Sequence, residues 1–485
     1  MLKYFLTLIL LFSFSHIFSQ NVVDLVRYSN VQLQGSARFE SMAGSFGALG
    51  ADISSSLINP AGYGRFSSNQ FNMGLNFNHI GNSNYFEGTT TESSKNPVRP
   101  SNIGVVIVND VSAKNKGFLY NQIGFSYNRI DNFTDNLNYK GKLYNSLLDI
   151  FATDGYGLSP EQFSPFTTAL AWETYAIDPG MNGNYLPRLT ANDTMTHNRT
   201  INTKGGISEY TFSFSTNYIN RLYLGVNWGI RTIRYTEEYV HREKLENASL
   251  SLDSFNYQYN LSTKGSGNNL KVGVIYLPFD AMRLGLSIHT PTFYNLADEW
   301  SADMTTYQND TIYALPTGTK PTANYKYRLR TPTKLISSLG YVFGTRGCVN
   351  VDVEYLNYKW ARLKSTKDVN FAPEANDYKY QNDEANQLLR SVFNIRVGGE
   401  IVFQSQYFIR GGYAFYPQPY AKDASNGTSG STIYSVGAGI KLKRSTFDIA
   451  YKYQTKKYNY YAFTESRAQI SSIIQGLVIC YNLTF

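Results

Sequence analysis

The sequence predicts an all-β fold: a transmembrane β-barrel of about fourteen antiparallel strands, with an N-terminal hatch folded inside the lumen. Three observations carry this. The last ten residues, GLVICYNLTF, alternate strictly, so that Leu477, Ile479, Tyr481, Leu483 and Phe485 share one face and Gly476, Val478, Cys480, Asn482 and Thr484 the other. Side chains change face at every residue of a strand, and an apolar outer face ending on an aromatic suits the closing strand of a bacterial outer-membrane barrel. Similar alternating segments recur along the chain, separated by spacers that are short and long by turns. Finally, 15% of the residues are aromatic, with 40 Tyr and 30 Phe, and no apolar run long enough for a spanning helix follows the first twenty residues. A membrane protein of this composition crosses as strands, and a lipid-exposed sheet closes on itself to satisfy its backbone.

Residues 1–19 read as a secretory signal: Lys3 supplies the positive end, Tyr4 to Phe12 the apolar core, and Ser19-Gln20 the cleavage zone. The core falls short of the roughly 20 residues a spanning helix needs, and no cysteine follows it to carry a lipid anchor. Residues 20–69 contain GSARFESMAGSFGALGADISSSLINPAGYGRF, dense in Gly and Ala and without strand alternation. Small residues let backbones approach closely, as a plug within a barrel requires, and Asn59-Pro60 marks a turn. Residues 70–485 form the barrel.

Its strands begin with FNMGLNF (Phe71, Met73, Leu75 and Phe77 outward), NIGVVIV, NQIGFSYN, YTFSFST and LYLGVNWGI. LKVGVIY, MRLGLSI, LISSLGYVF, CVNVDVEY and VFNIRVGGE follow, then YFIRGGYAF, TIYSVGAGI, TFDIAYKY and the closing segment. The count is even, as single-chain bacterial barrels require. Short spacers such as 219–221, 278–281, 344–347, 403–406 and 443–445 read as periplasmic turns. Long ones, such as 79–100, 131–206, 237–268 and 297–325, read as outer loops. The longest carries KLYNSLLDIF, with Leu143, Leu147 and Ile150 at helical spacing, and a second helical stretch is expected over 165–175.

The inward faces are polar: Asn72, Asn76 and Asn78, Ser126 and Asn128, Ser213 and Ser215, Asn227 and Arg231. Both charge signs appear there, in Lys271, Arg283, Asp352, Glu354, Arg396, Glu400, Arg410, Asp448 and Lys452. Balanced buried charge predicts ion pairs across a filled lumen. The net charge of +8 is spread without a Lys/Arg block, which excludes nucleic acid as a partner. Two cysteines, Cys348 and Cys480, lie far apart in sequence and imply no disulfide framework. Five histidines occur with no nucleophile motif and no metal-ligand spacing, so no enzyme, metal or cofactor is expected.

GSARFESMAGSFGALGADISSSLINPAG resembles the N-terminal hatch of FadL-type outer-membrane transporters, and most closely the Bacteroidetes branch of that family. The turn Asn59-Pro60-Ala61-Gly62 is its most recognisable element. NNLKVGVIYLPFDAMRLGLSIHTPTFYNL and NIRVGGEIVFQSQYFIRGGYAF look like the same branch. The resemblance implies a plugged fourteen-stranded barrel in the outer membrane. It also implies passive uptake of hydrophobic molecules, long-chain fatty acids or similar, which leave sideways through the wall into membrane lipid. Within the hatch, Arg38 beside Phe39, Met42 and Phe46 offers one cation among apolar neighbours, suited to a carboxylate head and acyl chain; the alternative is that Arg38 pairs with a lumen acid such as Glu400. The same branch is similar to PorV-like proteins that serve type IX secretion. A protein partner in an outer-membrane machine is therefore the competing expectation.

Overall fold

The computed structural model describes residues 22–485 apart from 31, 33, 114–116, 190–193, 247–251, 367–377, 422–429 and 464–465. The expected signal, 1–19, lies outside the described residues. Fourteen antiparallel strands close a barrel. They are β1 Gln70–Phe86, β2 Val98–Asp110, β3 Phe118–Asn132, β4 Met195–Tyr218, β5 Leu222–Leu245, β6 Ser254–Phe279 and β7 Met282–His289. The second half is β8 Lys334–Val342, β9 Gly347–Asn357, β10 Ser391–Phe403, β11 Tyr407–Tyr416, β12 Ser431–Leu442, β13 Ser445–Phe463 and β14 Ser466–Thr484. Each pairs with its neighbour, and β14 returns to β1 with Leu483 opposite Phe71 and Leu477 opposite Phe77.

The alternation sets the two faces. Met73, Leu75 and Phe77 of β1 and Leu477 and Ile479 of β14 are exposed, whereas Val478 and Cys480 are buried. Rings on neighbouring strands meet across this outer belt: Phe125 and Phe212 lie 5.2 Å apart, and Phe212 and Trp228 5.7 Å. No helix among the described residues is long and apolar enough to cross a membrane.

Several expected outer loops are strands instead. β4, β5 and β6 run 24 to 26 residues and continue through most of 237–268. Beyond the belt the alternation persists but its sense inverts: Tyr235, Tyr239 and Leu245 of β5 point inward while Arg234, Glu238 and Arg242 face solvent. A search for apolar outward faces passes over such strands. The two expected helices are present as α3, Leu147–Asp154, capped by Ser146, and α4, Thr168–Glu173. Leu143 instead ends an outer strand, Asp135–Leu143. Leu148, Phe151 and Leu170 of these helices pack on Phe255, Tyr257 and Met304.

The segment before β1 lies inside the barrel. It comprises α1 Val22–Ser29, α2 Ala37–Ser41 and two 3-10 turns, Ile53–Leu57 and Pro60–Arg65. Short polar side chains start each turn: Ser36 accepts from Phe39 N–H, Asp52 from Ser54 N–H, and Asn59 from Ala61 N–H. Pro60 at the first position of its turn has no N–H to leave unpaired. The wall makes room with glycines. A Cβ on Gly225 would fall 2.4 Å from Ala61 N, one on Gly285 2.3 Å from Gly47 O, and one on Gly412 2.4 Å from the carbonyl carbon of Met42. These are contacts with backbone, so the hatch seats only because these wall positions carry no side chain.

Asn59 ties this seating together. Its Oδ1 caps the turn, and its Nδ2 donates to Gly47 O at 2.7 Å within the hatch and to Val274 O at 3.1 Å in β6. Asn59→Ala removes a cap and leaves two buried carbonyls short of a donor, an expected loss of about 2–4 kcal/mol. Urea unfolding followed by the heat-modifiable gel shift of the barrel checks it; an unchanged midpoint would contradict the anchoring role.

Candidate functional site

Three features of the interior bear on function. The first is the seal between hatch and wall. Arg38 donates through Nε and Nη2 to the Glu400 carboxylate at 3.1 Å and through Nη1 to Ala51 O at 2.8 Å. Glu400 also accepts from Arg410 Nε (2.6 Å), and Arg410 Nη1 reaches Asp448 at 2.6 Å. Glu40 meets Lys452 at 3.0 Å, and Asp352 accepts the backbone N–H groups of Phe46 and Gly47 at 3.0 and 3.1 Å. Phe39, Met42 and Phe46 are fully buried with Leu49, Ile58 and Ile336, and the Arg38 guanidinium lies 5.3 Å from the Phe46 ring centre. The four hatch residues singled out from the sequence thus form one cluster, with Arg38 committed to Glu400. Asn59, Pro60, Ala61 and Gly62 form the turn pressed against the β4, β5 and β6 walls; Ser215 of β4, for instance, donates to Pro60 O at 2.7 Å.

The second feature is an apolar chamber above the seal, the largest buried apolar cluster of the described residues. α1 lies in it: Val22, Leu25 and Tyr28 pack among Ile130, Ile207, Tyr235 and Tyr358. Phe133 completes one side, its ring edge-on to Tyr28 at 6.0 Å and to Tyr235 at 5.5 Å. α1 carries one ion pair into this cluster: buried Asp24 meets Arg27, whose guanidinium lies 4.2 Å from the Tyr235 ring centre.

The third is a seam in the wall beside that chamber. Backbone pairing between β2 and β3 runs from Asp110 opposite Tyr120 to Asn102 opposite Asn128, with no pair beyond. Past that point β2 pairs only with β1, through a register shift at Gly74/Leu75 that sets Pro100 opposite Leu75. β3 there pairs only with β4, through a second shift between Arg129 and Asp131. Proline gives the ladder no donor and is confined to edges and bulges, so Pro100 favours a free edge here. Leu75 and Phe77 are lipid-facing and Val98, opposite Phe77, is 59% exposed, so the seam opens within the apolar belt. Farther out the edges are the strands Thr89–Lys95, paired to β1, and Asp135–Leu143, paired to β4; Ser93 Oγ donates across them to Asn136 O at 2.5 Å, and Asn84 Nδ2 of β1 reaches Asn138 O at 2.9 Å. The resemblance implied an exit through the wall but not its place: Pro100, which the sequence puts at the end of an expected loop, lies in β2 beside the register shift.

A separate cluster lies in the outer extension, also unforeseen. His197, His241 and Glu243 bring donor atoms within 4.8 Å of one another. Arg199 Nε donates to His241 Nδ1 at 3.1 Å, which leaves the ring proton on Nε2, directed at Glu243 at 2.8 Å. A cation on Nε2 would displace that proton beside a guanidinium, so the set is unsuited to a metal. Glu243 instead caps α3, accepting from Ser146 Oγ at 2.5 Å and Leu147 N–H at 2.8 Å.

Burial pushes His197 down to about 4, against the pull of Glu243, so the chain with α3 docked on this cluster holds it neutral. Between about pH 6.5 and 4 the undocked chain takes up a proton that the docked one refuses, and docking weakens as pH falls. Burial raises Glu243, which acts in the opposite sense. Amide exchange in 147–154, corrected for intrinsic rate, should show opening at least about tenfold greater at pH 4 than at pH 6.5, with a flatter profile in His197→Gln. Identical profiles in the two proteins would contradict the assignment.

A closed antiparallel barrel with an apolar outer belt and a charged lumen filled by the N-terminal segment is a membrane β-barrel of the plugged type. No family model and no curated protein matches the sequence. Solved structures do match by fold. The chain is similar to a FadL homologue from Pseudomonas aeruginosa (TM-score 0.57, 13% identity, 93% of this chain and 98% of that one). It is also similar to the toluene transporter TodX of P. putida (TM-score 0.53, 13% identity, 93% and 99%). The fold expected from the hatch resemblance is the fold found, at an identity that shows the fold alone.

Proposed function

We propose that this protein is an outer-membrane channel for passive uptake of hydrophobic molecules, fatty acids or similar. The observation that carries this is the pairing of an apolar chamber with a wall seam that opens inside the lipid-facing belt. A hydrophobic molecule takes the place of α1 among Ile130, Ile207, Tyr235 and Phe133, then leaves between β2 and β3 into lipid without crossing the charged seal below. Arg38, Phe39, Met42 and Phe46 contact ligand only if the hatch rearranges, because Glu400 now occupies Arg38. The fold shared with a toluene transporter supports a hydrophobic cargo. The hatch segment itself is the support for the Bacteroidetes branch.

The test is ligand binding by the gently purified barrel, with and without residues 22–30. Lipid should co-purify and be identifiable by mass spectrometry, and deleting α1 should raise affinity for dodecanol and dodecanoate about tenfold, because the chamber no longer has to be vacated. No bound lipid, together with a stable protein partner on pull-down, would replace the channel by the scaffold role.

A further inference from the structure

We infer that the outward face of the wall carries a binding site for the phosphorylated head group of lipid A, seated between Lys264 of β6 and Lys326 of the strand Thr322–Arg330. This rests on the outer-membrane placement proposed above and not on what the channel carries. The register gathers cations on that face. Arg330 lies opposite Arg362, Arg328 opposite Lys364, and Arg234 opposite Lys264. Lys264 in turn lies opposite Ala297, and Ala297 opposite Lys326, so the two lysines flank an alanine on one rung. Arg234, Lys264, Lys326, Arg328 and Lys364 are exposed, and Arg330 and Arg362 are half-buried. On β6 and the strand Phe293–Gln308 the same three rungs otherwise carry Asn268, Phe293, Ser266, Asn295 and Ala297, none of them acidic. Glu299 comes one rung farther out, between Ser262 and Asn324.

Like charges directly opposite each other destabilise a sheet, and an anion bound over the three pairs offsets that cost. Among the described residues no carboxylate lies within ion-pair distance of Arg234, Lys264, Arg328, Arg330, Arg362 or Lys364. Arg328 donates through Nε and Nη2 to Ser365 O at 3.2 and 3.0 Å, and Arg330 through Nη2 to Trp360 O at 3.3 Å. Arg362 donates to Ala361 O at 2.7 Å and to Asn386 Oδ1 at 3.1 Å. These acceptors are neutral oxygens, so the positive charge remains available to a phosphate. Asp383 of the helix Lys379–Leu388 acts on Arg362 without pairing to it.

The level of the patch selects the partner. Leu270, Ile288 and Phe293 are exposed on the wall just below it. The roughly 11 residues from Met282 up to Phe293, at about 3.3 Å each and tilted by about 40°, rise about 28 Å, close to the height of an apolar band of about 25 Å. Phe293 and the exposed Trp360 thus mark the outer edge of the band, where interfacial aromatics gather, and the cations stand at the head groups of the outer leaflet. A hollow of about 430 Å³ opens there, lined by Lys264, Ser266, Asn295, Ala297, Lys326 and Thr366. The small Ala297 between the lysines keeps its floor low. Lipid A presents phosphates on a pair of sugars above its acyl chains. Its phosphates suit the two lysines, its sugar hydroxyls suit Ser266, Asn295 and Thr366, and its chains run down the belt past Phe293. An acidic protein approaching from water would leave that belt edge unused.

Native mass spectrometry of the full barrel measures binding of three probes: lipid A, lipid A stripped of its phosphates, and phosphatidylglycerol. The proteins are wild type, Lys264→Gln/Lys326→Gln, Lys264→Arg/Lys326→Arg and Ala297→Trp, with the heat-modifiable gel shift confirming a closed barrel. Wild type should prefer lipid A to its dephosphorylated form by at least about tenfold. The Gln pair should lose that preference and the Arg pair keep it, because charge is restored. Ala297→Trp, which fills the hollow and leaves the charge unchanged, should weaken lipid A binding by at least about fivefold. Phosphatidylglycerol held as tightly as lipid A, or lipid A fully displaced by inorganic phosphate, would overturn the assignment to lipid A. Loss in the Gln pair with Ala297→Trp unchanged would replace the hollow by diffuse attraction, and no preference in wild type would overturn the site outright. Recovery of the barrel in the outer-membrane fraction of broken cells checks the placement separately, so the two failures are told apart.

Discussion

Removal of residues 34–63 is expected to turn the barrel into an ion-conducting pore. This stretch contains α2 and the turns that press on the glycine wall at Gly225, Gly285 and Gly412, and it occupies the lumen at the level of the charged seal. The barrel itself does not depend on it for closure, because each strand is paired to its neighbours, β14 to β1 included. Deletion leaves Glu400, Asp352 and Lys452 facing an open lumen, where water solvates them, so the lost pairs cost less than they would in a dry interior. Planar-bilayer recordings should show stepwise conductance in the deletion and closed behaviour in the full chain. Equal silence in both would mean that the segment is not the plug. Gly225→Leu should give the same phenotype in weaker form, because its side chain displaces the backbone of Pro60 and Ala61 rather than a flexible side-chain tip.

Glu400→Ala has the second-largest expected effect. Glu400 joins hatch to wall: it accepts from Arg38 on one side and Arg410 on the other, and only the second arginine has a further carboxylate, Asp448. Truncation leaves the Arg38 guanidinium with Ala51 O as its remaining acceptor. Breaking a buried pair by removing one partner costs about 3–5 kcal/mol, because a charge stays buried without compensation. Urea unfolding should show that loss in Glu400→Ala and a smaller one in Glu400→Gln, which can still accept. A midpoint within error of wild type for both would show that the hatch is held by its backbone contacts alone.

Much of this architecture is legible in the sequence, for a simple physical reason. Lipid outside and polar lumen inside impose a period of two, so the outward Phe71, Met73, Leu75 and Phe77 and the inward Asp352, Glu354 and Arg396 mark strand and face at once. The Gly-rich segment and its Asn59-Pro60 turn were equally legible, because close packing of backbone against backbone demands small residues. What escaped has equally plain causes. Above the belt, solvent replaces lipid, the apolar face turns inward, and β4, β5 and β6 continue where loops were expected. The His197–Glu243 cluster joins the outer extensions of β4 and β5, which fall within the expected loops 131–206 and 237–268. The seam depends on pairing that stops at Asn102 and Asn128, which periodicity does not record.

If hydrophobic molecules occupy the chamber and pass the β2–β3 seam, a reactive cargo should mark the residues that line that route. Photolabelling with a diazirine-bearing fatty acid, competed by unlabelled dodecanoate and mapped by peptide mass spectrometry, tests it most directly. The account predicts competed label on residues 130–133 and 207, and on 22–28 of α1. Label confined to the outer belt around Phe212, Phe214 and Trp228, unaffected by competitor, would contradict it.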